Sequence, residues 1–229
     1  MNCEQRTNDQ MNNTIVVRFG IKGTLRFLSH LETMAMLQRA FARAQIRLCY
    51  TEGFNPRPRF SLPLPRNVGM LSDAELMYAV LCSDESSADP EQIKDRICGH
   101  VPQGCEIYDT ELIEGRVRYR PVSVVYVFSL AGMDKDGKIR ANIESLRRSL
   151  EAGKGLIVER ASHGTKPARK TDVSAYIDSI SAESGDLVVR CNITGAGTVR
   201  ADEILELLQI DSSQISRPVR RKSVRWKCN

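Results

Sequence analysis

The chain has 229 residues, with 33 Lys and Arg against 28 Asp and Glu, 41% hydrophobic residues and seven cysteines. That is enough chain to bury a core as one large domain or two small ones, and its ordinary charge and hydrophobicity exclude disordered and collagen-like classes. The longest apolar stretch, 122–133, is interrupted by Ser123, Ser129 and Gly132 and is too short for a bilayer. The polar start MNCEQRTNDQMNN lacks a signal-peptide core, so a cytoplasmic protein without membrane contact is expected.

Residues 1–13 read as a disordered tail. Thr14–Ile21 alternates as a strand, with Ile15, Val17 and Phe19 on one face, and Gly23 ends it. Ser29-His30-Leu31-Glu32 has the S-x-x-E form of a capping box, so a helix starts there, carrying Leu31, Met34, Leu37 and Phe41 at helical spacing. Gly53 and Pro56-Arg57-Pro58 make a loop before strands at 60–64 and 75–82. Asp89 as N-cap and Pro90 at the first helical position open a second helix to Cys98, and a strand follows over 104–112. This order is β-α-β-β-α-β, the ferredoxin-like unit.

The second half is expected to run the same way. Strands read at 123–129, 156–160, 187–193 and 214–224, with a further strand over 172–180 and helices at 138–150 and 201–208. The expectation is therefore an α+β fold of two ferredoxin-like (βαββαβ) halves in tandem, residues 14–115 and 116–229, joined near the arginine-rich segment 115–121. No residue-level repeat links the halves, so element order alone carries the duplication.

Charge is unevenly spread. Residues 72–114 hold eleven acids against Lys94 and Arg96, a net −9 that leaves +14 elsewhere, and no acid follows Asp211. Clustered basic charge attracts polyanions, although charge runs also serve as plain solvated faces. The odd cysteine count and the absence of C-x-x-C exclude a disulfide framework or zinc ribbon. Cys98 and Cys105 are separated by six residues around His100, in a sequence that reads as a helix end and a loop, and no metal or other cofactor is expected in this chain. The fragment Gly195-Ala196-Gly197-Thr198 lacks the third glycine of a dinucleotide fingerprint, and no P-loop or three-cysteine cluster occurs.

The densest candidate site joins Gly23–His30 to Tyr50–Ser61. In the first run Arg26, Ser29 and His30 lead into a helix start, where unpaired N–H groups and the macrodipole favour an anion. The second run, YTEGFNPRPRFS, interleaves Tyr50, Phe54 and Asn55 with Arg57 and Arg59, a pattern suited to phosphate contacts and base stacking in single strands. Lys166, Arg169 and Lys170 form a second basic loop behind His163-Gly164. His30 is the one candidate for a general base toward a ribose 2′-OH, but nothing in the sequence completes an acid–base pair.

The runs Arg18-Phe19, Lys22-Gly23, Leu25-Arg26-Phe27-Leu28-Ser29-His30-Leu31 and Tyr50-Thr51-Glu52-Gly53-Phe54-Asn55-Pro56-Arg57-Pro58 resemble the bacterial radical-SAM-linked protein family. Lys170-Thr171-Asp172-Val173, Tyr176-Ile177 and the run from Gly197 through Arg200-Ala201-Asp202-Glu203 to Leu205 agree with it, and the resemblance spans about residues 14 to 227. Arg57 departs from the pattern, which has His there. The resemblance implies an accessory partner of a cobalamin-type radical SAM protein. Combined with the basic loops, it leads to the expectation of a non-enzymatic RNA-binding or substrate-presenting module. Two alternatives stand beside it. One is a metal-independent endoribonuclease of the CRISPR repeat-processing type, with His30 as base. The other is a protein-docking adaptor that never touches RNA.

Overall fold

The computed structural model describes residues 12–82, 89–130, 137–160, 169–183, 185–211 and 217–229. All but the last two residues of the expected tail, Lys166 with His163-Gly164, and the acids Asp84 and Glu85 lie outside them. The protein is α+β. It divides into two compact units, Met1–Pro121 with Trp226–Asn229, and Val122–Arg225.

The first unit contains β1 (Thr14–Ile21), a 3-10 turn (Gly23–Phe27), α1 (His30–Arg43), β2 (Phe60–Ser61), β3 (Leu71–Val80), α2 (Pro90–Cys98) and β4 (Cys105–Ile113). Its strands pair antiparallel in the order β4-β1-β3-β2. The alternation in β1 is what buries it. Ile15, Val17, Phe19 and Ile21 are fully buried against Leu37 and Phe41 of α1 and Ile93 and Ile97 of α2, while Val16 packs on the opposite face with Leu76 and Tyr119. Each such side chain contributes about 1.5–3 kcal/mol by leaving water. Phe60 stands edge-on to Phe41, 5.8 Å between ring centroids, and ties β2 to the same core. The strand expected over 60–64 stops at Ser61, because Pro63 and Pro65 offer no ladder donors.

Part of the acidic segment is neutralised inside the sheet. Arg18 of β1 bonds Asp109 at 2.9 Å and Glu111 at 3.2 Å on β4, and Lys22 bonds Glu106. Exposed to solvent screening, these pairs add little to stability. They do direct the β4 carboxylates toward β1.

The second unit contains most of β5 (Tyr119–Ser129), then α3 (Lys138–Glu151), β6 (Ile157–Arg160), β7 (Arg169–Asp172), a 3-10 turn (Ser174–Tyr176), β8 (Ile177–Glu183), β9 (Asp186–Asn192), α4 (Ala201–Leu207) and most of β10 (Arg220–Cys228). Its strand order is β10-β5-β9-β8, with β6 and β7 forming a separate hairpin. The single strand expected over 172–180 is two strands. Asp172 accepts hydrogen bonds from the N–H groups of Leu156 and Ser174, at 2.9 and 3.0 Å, and this local turn chemistry displaces strand geometry between them. The closing strand, expected over 214–224, runs among the described residues over Arg220–Cys228, and 214–216 lie outside them. No helix among the described residues is long and apolar enough to cross a membrane.

Candidate functional site

The sequence grouped two runs, Gly23–His30 and Tyr50–Ser61, into one constellation. The structure separates them. Thr14 pairs with Val80 at one end of β1 and Ile21 with Ser72 at the other. Lys22 N–H donates to Gly104 at the Ile21 end, whereas Cys49 and Arg59 bond around Val80 at the Thr14 end. Seven residue steps of strand, about 24 Å, lie between the two runs.

At the Ile21 end, the apex of the first unit is organised by a residue that sequence reasoning passed over. Arg66 is 6% exposed, and its guanidinium donates to the carbonyls of Arg26 and Met70 at 2.8 Å, Leu28 at 3.1 Å and Leu25 at 3.3 Å. Gly69 N–H adds a 2.7 Å bond to Arg26. One planar fork thus fixes the 3-10 turn against the turn that precedes β3. Around it, Phe27, Leu31 and Val68 are 56, 72 and 61% exposed, and the Arg26 guanidinium lies 4.3 Å from the centroid of the Phe27 ring. No sequence signal marks Arg66, because its partners are backbone carbonyls that any residue would offer and only the fold brings the two turns together.

Ser29 is the N-cap of α1. Its hydroxyl accepts from Glu32 N–H at 3.3 Å while Glu32 accepts from Ser29 N–H at 2.8 Å, the capping box expected from sequence. The Ser29 backbone N–H holds the Glu32 carboxyl below the usual carboxylate range. The helix start therefore already carries an anion of its own. His30 is the first residue of α1 and is half-buried.

At the Thr14 end, residues 50–59 form a tight hairpin. Thr51 N–H donates to Arg57 at 2.8 Å, Arg57 N–H returns to the Thr51 hydroxyl at 3.0 Å, and Arg59 Nε donates to the Tyr50 carbonyl at 3.0 Å. Phe54 at its tip is 100% exposed, Tyr50 is 56% exposed, and Asn55 and Arg57 are exposed beside them. Below the hairpin lies a cleft of about 440 Å³, walled by Arg59, Phe60 and Tyr78 and by Arg116 and Arg118. Arg116 and Arg118, in the segment read as the joint between the halves, bring further cations to the Arg59 side.

In the second unit Arg169 and Lys170 are exposed on β7, with Lys170 4.0 Å from Glu159. The basic run near the C-terminus is not one cationic face, because Arg221 is 2% exposed within β10. The motif run 197–203 meets Arg160 of β6. Arg160 holds the buried Glu203 through bonds of 2.7 and 3.0 Å and also donates to the Thr198 carbonyl at 2.7 Å. Burial pushes the Glu203 carboxyl up, but the Arg160 side chain, the Arg200 N–H and their charge outweigh it and hold the group below its ordinary value. This pair fastens the β6–β7 hairpin to the start of α4.

Burial pushes the thiols of Cys105 and Cys191 up to about 12, which makes them core side chains rather than thiolates. Among the described residues no three His, Cys, Asp or Glu side chains gather as metal ligands.

Residues 14–218 match the family described as "Uncharacterized protein conserved in bacteria (DUF2344)", and the chain belongs to that family. No curated protein matches it. Among solved structures it is similar to the regulatory subunit of aspartate kinase from Thermus thermophilus in its ligand-free form. Identity there is 12% and the TM-score 0.24, over 87% of this chain and 89% of that one. The same subunit from Thermus flavus gives 12% and 0.24 over 86% and 91%, and aspartate kinase from Clostridium acetobutylicum 11% and 0.22 over 79% and 29%. Likenesses at this level carry no argument about what the chain does.

Proposed function

We propose that this member of the DUF2344 family is a non-enzymatic accessory module that docks onto a cobalamin-type radical SAM protein through the apex of its first unit. The observation that carries the reading is the set of three large exposed apolar side chains, Phe27 and Val68 on the turns that Arg66 ties together and Leu31 at the start of α1. An aromatic ring backed by an arginine on a pre-ordered backbone has the composition of an interface anchor and loses little entropy on binding. The resemblance of the LRFLSHL run to radical-SAM-linked proteins supplies the class of partner. Within the same reading the protein is cytoplasmic, and the strand orders β4-β1-β3-β2 and β10-β5-β9-β8 support two ferredoxin-like halves in tandem.

A second reading, RNA presentation, is favoured by the cleft of Arg59, Arg116 and Arg118. There Arg57 and Arg59 contact phosphates and Tyr50 and Phe54 stack bases, with Arg169 and Lys170 as further contacts. The docking reading is tested by hydrogen-exchange footprinting of the chain with and without the purified radical SAM protein. Protection over 24–31 and 66–69 supports it. Protection confined to 50–59 and 116–118, or none, overturns it.

A further inference from the structure

Two cavities of about 450 and 460 Å³ open along α1 in the first unit. Leu25, Leu28 and Ala35 wall one, and Arg43, His100 and Val101 wall the other. Both are lined by Met36, Arg39 and Pro102, so they form one groove between α1 and the turn that follows α2. Its α1 side is Glu32, Ala35, Met36, Arg39 and Arg43, positions three or four apart that share one helix face. The apolar end lies beside the apex, since Leu31 stands one turn before Ala35. The opposite end is cationic.

The charge at that end has no internal use. Among the described residues Arg39 and Arg43 make no ion pair or side-chain hydrogen bond, and both are exposed, as is His100. The last carbonyls of the α1 region are served from elsewhere, by Arg96 donating to Ala44 at 3.0 Å and Gln45 at 2.8 Å. Glu32 is occupied by the Ser29 cap.

The backbone of the walls sets the kind of occupant. On one side α1 bonds internally. On the other, the N–H groups of Gly99, His100 and Val101 donate to Asp95 and Ile97 carbonyls of their own helix end. An extended segment laid here would find few backbone partners, so an occupant must satisfy its own backbone, as a helix does. No Phe, Tyr or Trp ring lines the groove, and the His100 imidazole at its cationic end is the one surface on which a base could stack, which sets a nucleic acid at a disadvantage.

We propose that this groove receives an acidic amphipathic helix of a partner protein. Its apolar residues, spaced three and four apart, lie over Leu25, Leu28 and Met36, and its Asp or Glu residues meet Arg39 and Arg43. From Glu32 to Arg43 the groove follows about 16 Å of helix, room for about three turns of such a segment. This rests on the docking reading and gives the partner's chemistry.

The test is selection, on the full-length chain, from a displayed library of 16-residue helix-forming peptides randomised on one face, followed by affinity measurement with the enriched peptide. The expected result is enrichment of acidic peptides with apolar residues at three- and four-residue spacing. Binding should fall at least tenfold in the folded Arg39→Glu/Arg43→Glu variant, and at least tenfold for a scrambled peptide of equal charge. No enrichment, enrichment of neutral or basic peptides, or binding unchanged in the double variant overturns the proposal. So does binding of poly(U) that the same variant abolishes. Failure here with apex protection by the radical SAM protein intact leaves the docking reading standing; success here without apex protection overturns the docking reading and not the groove's occupant.

Discussion

Replacing Arg66 by Met removes the group that ties two turns together, and the structure sets the size of the effect. Of its four best acceptors, the Leu25 carbonyl also accepts from Leu28 N–H and the Arg26 carbonyl from Gly69 N–H. The carbonyls of Leu28 and Met70 have the guanidinium as their donor. Two orphaned acceptors cost about 1–3 kcal/mol each where water cannot reach them, and relief from desolvating a guanidinium returns some of that. The expected loss is about 3 kcal/mol for Arg66→Met and about half for Arg66→Lys, whose ammonium cannot span both turns. In urea, with m near 2 kcal/mol/M, the Met variant should unfold at a midpoint about 1–2 M lower. Protection of the Gly69 amide against exchange should fall in step, which assigns the loss to the apex. A loss below about 1 kcal/mol with Gly69 protection unchanged would refute the role given to Arg66.

Glu203→Gln should cost about 2–3 kcal/mol at neutral pH by leaving Arg160 without its buried counter-ion. The folded Glu203 value is depressed, so its contribution is complete above the unfolded value of about 4.3 and is lost as pH falls through the folded value; urea titrations at descending pH should show that slope in the wild type and not in the variant. Gly104→Ala should lower stability by about 1–3 kcal/mol in thermal melts, because φ is +95° and the new methyl would sit 2.7 Å from the Lys22 carbonyl oxygen. Phe27→Ala/Leu31→Ala should shift stability by only about 1 kcal/mol in the same melts, both side chains being more than half exposed. End-labelled total RNA incubated in EDTA should stay intact with wild type and with His30→Ala alike; cleavage lost in the variant would promote the nuclease alternative.

Local chemistry made the first unit readable. The Ser29/Glu32 box, Asp89 with Pro90, and the alternation of Ile15, Val17 and Phe19 in β1 each act within a few residues, so their elements stand where the sequence places them. Reading failed where distant segments decide. Arg160 fastens the β6–β7 hairpin by reaching Glu203, 43 residues away, and Asp172 turns the chain at the start of a segment that reads as one strand. The candidate site suffered in the same way. Two basic, aromatic runs looked like one groove because chain order does not reveal which end of a strand a loop returns to, and Arg66 gave no signal because its four carbonyl partners are sequence-neutral.

The most direct measurement is the affinity of the full-length chain for the purified cobalamin-type radical SAM protein, by calorimetry, in two surface variants. Phe27→Ala/Leu31→Ala should weaken it at least tenfold, and Arg57→Ala/Arg59→Ala should leave it within about twofold. Unchanged affinity in the first variant, or a loss confined to the second, would contradict docking through the apex.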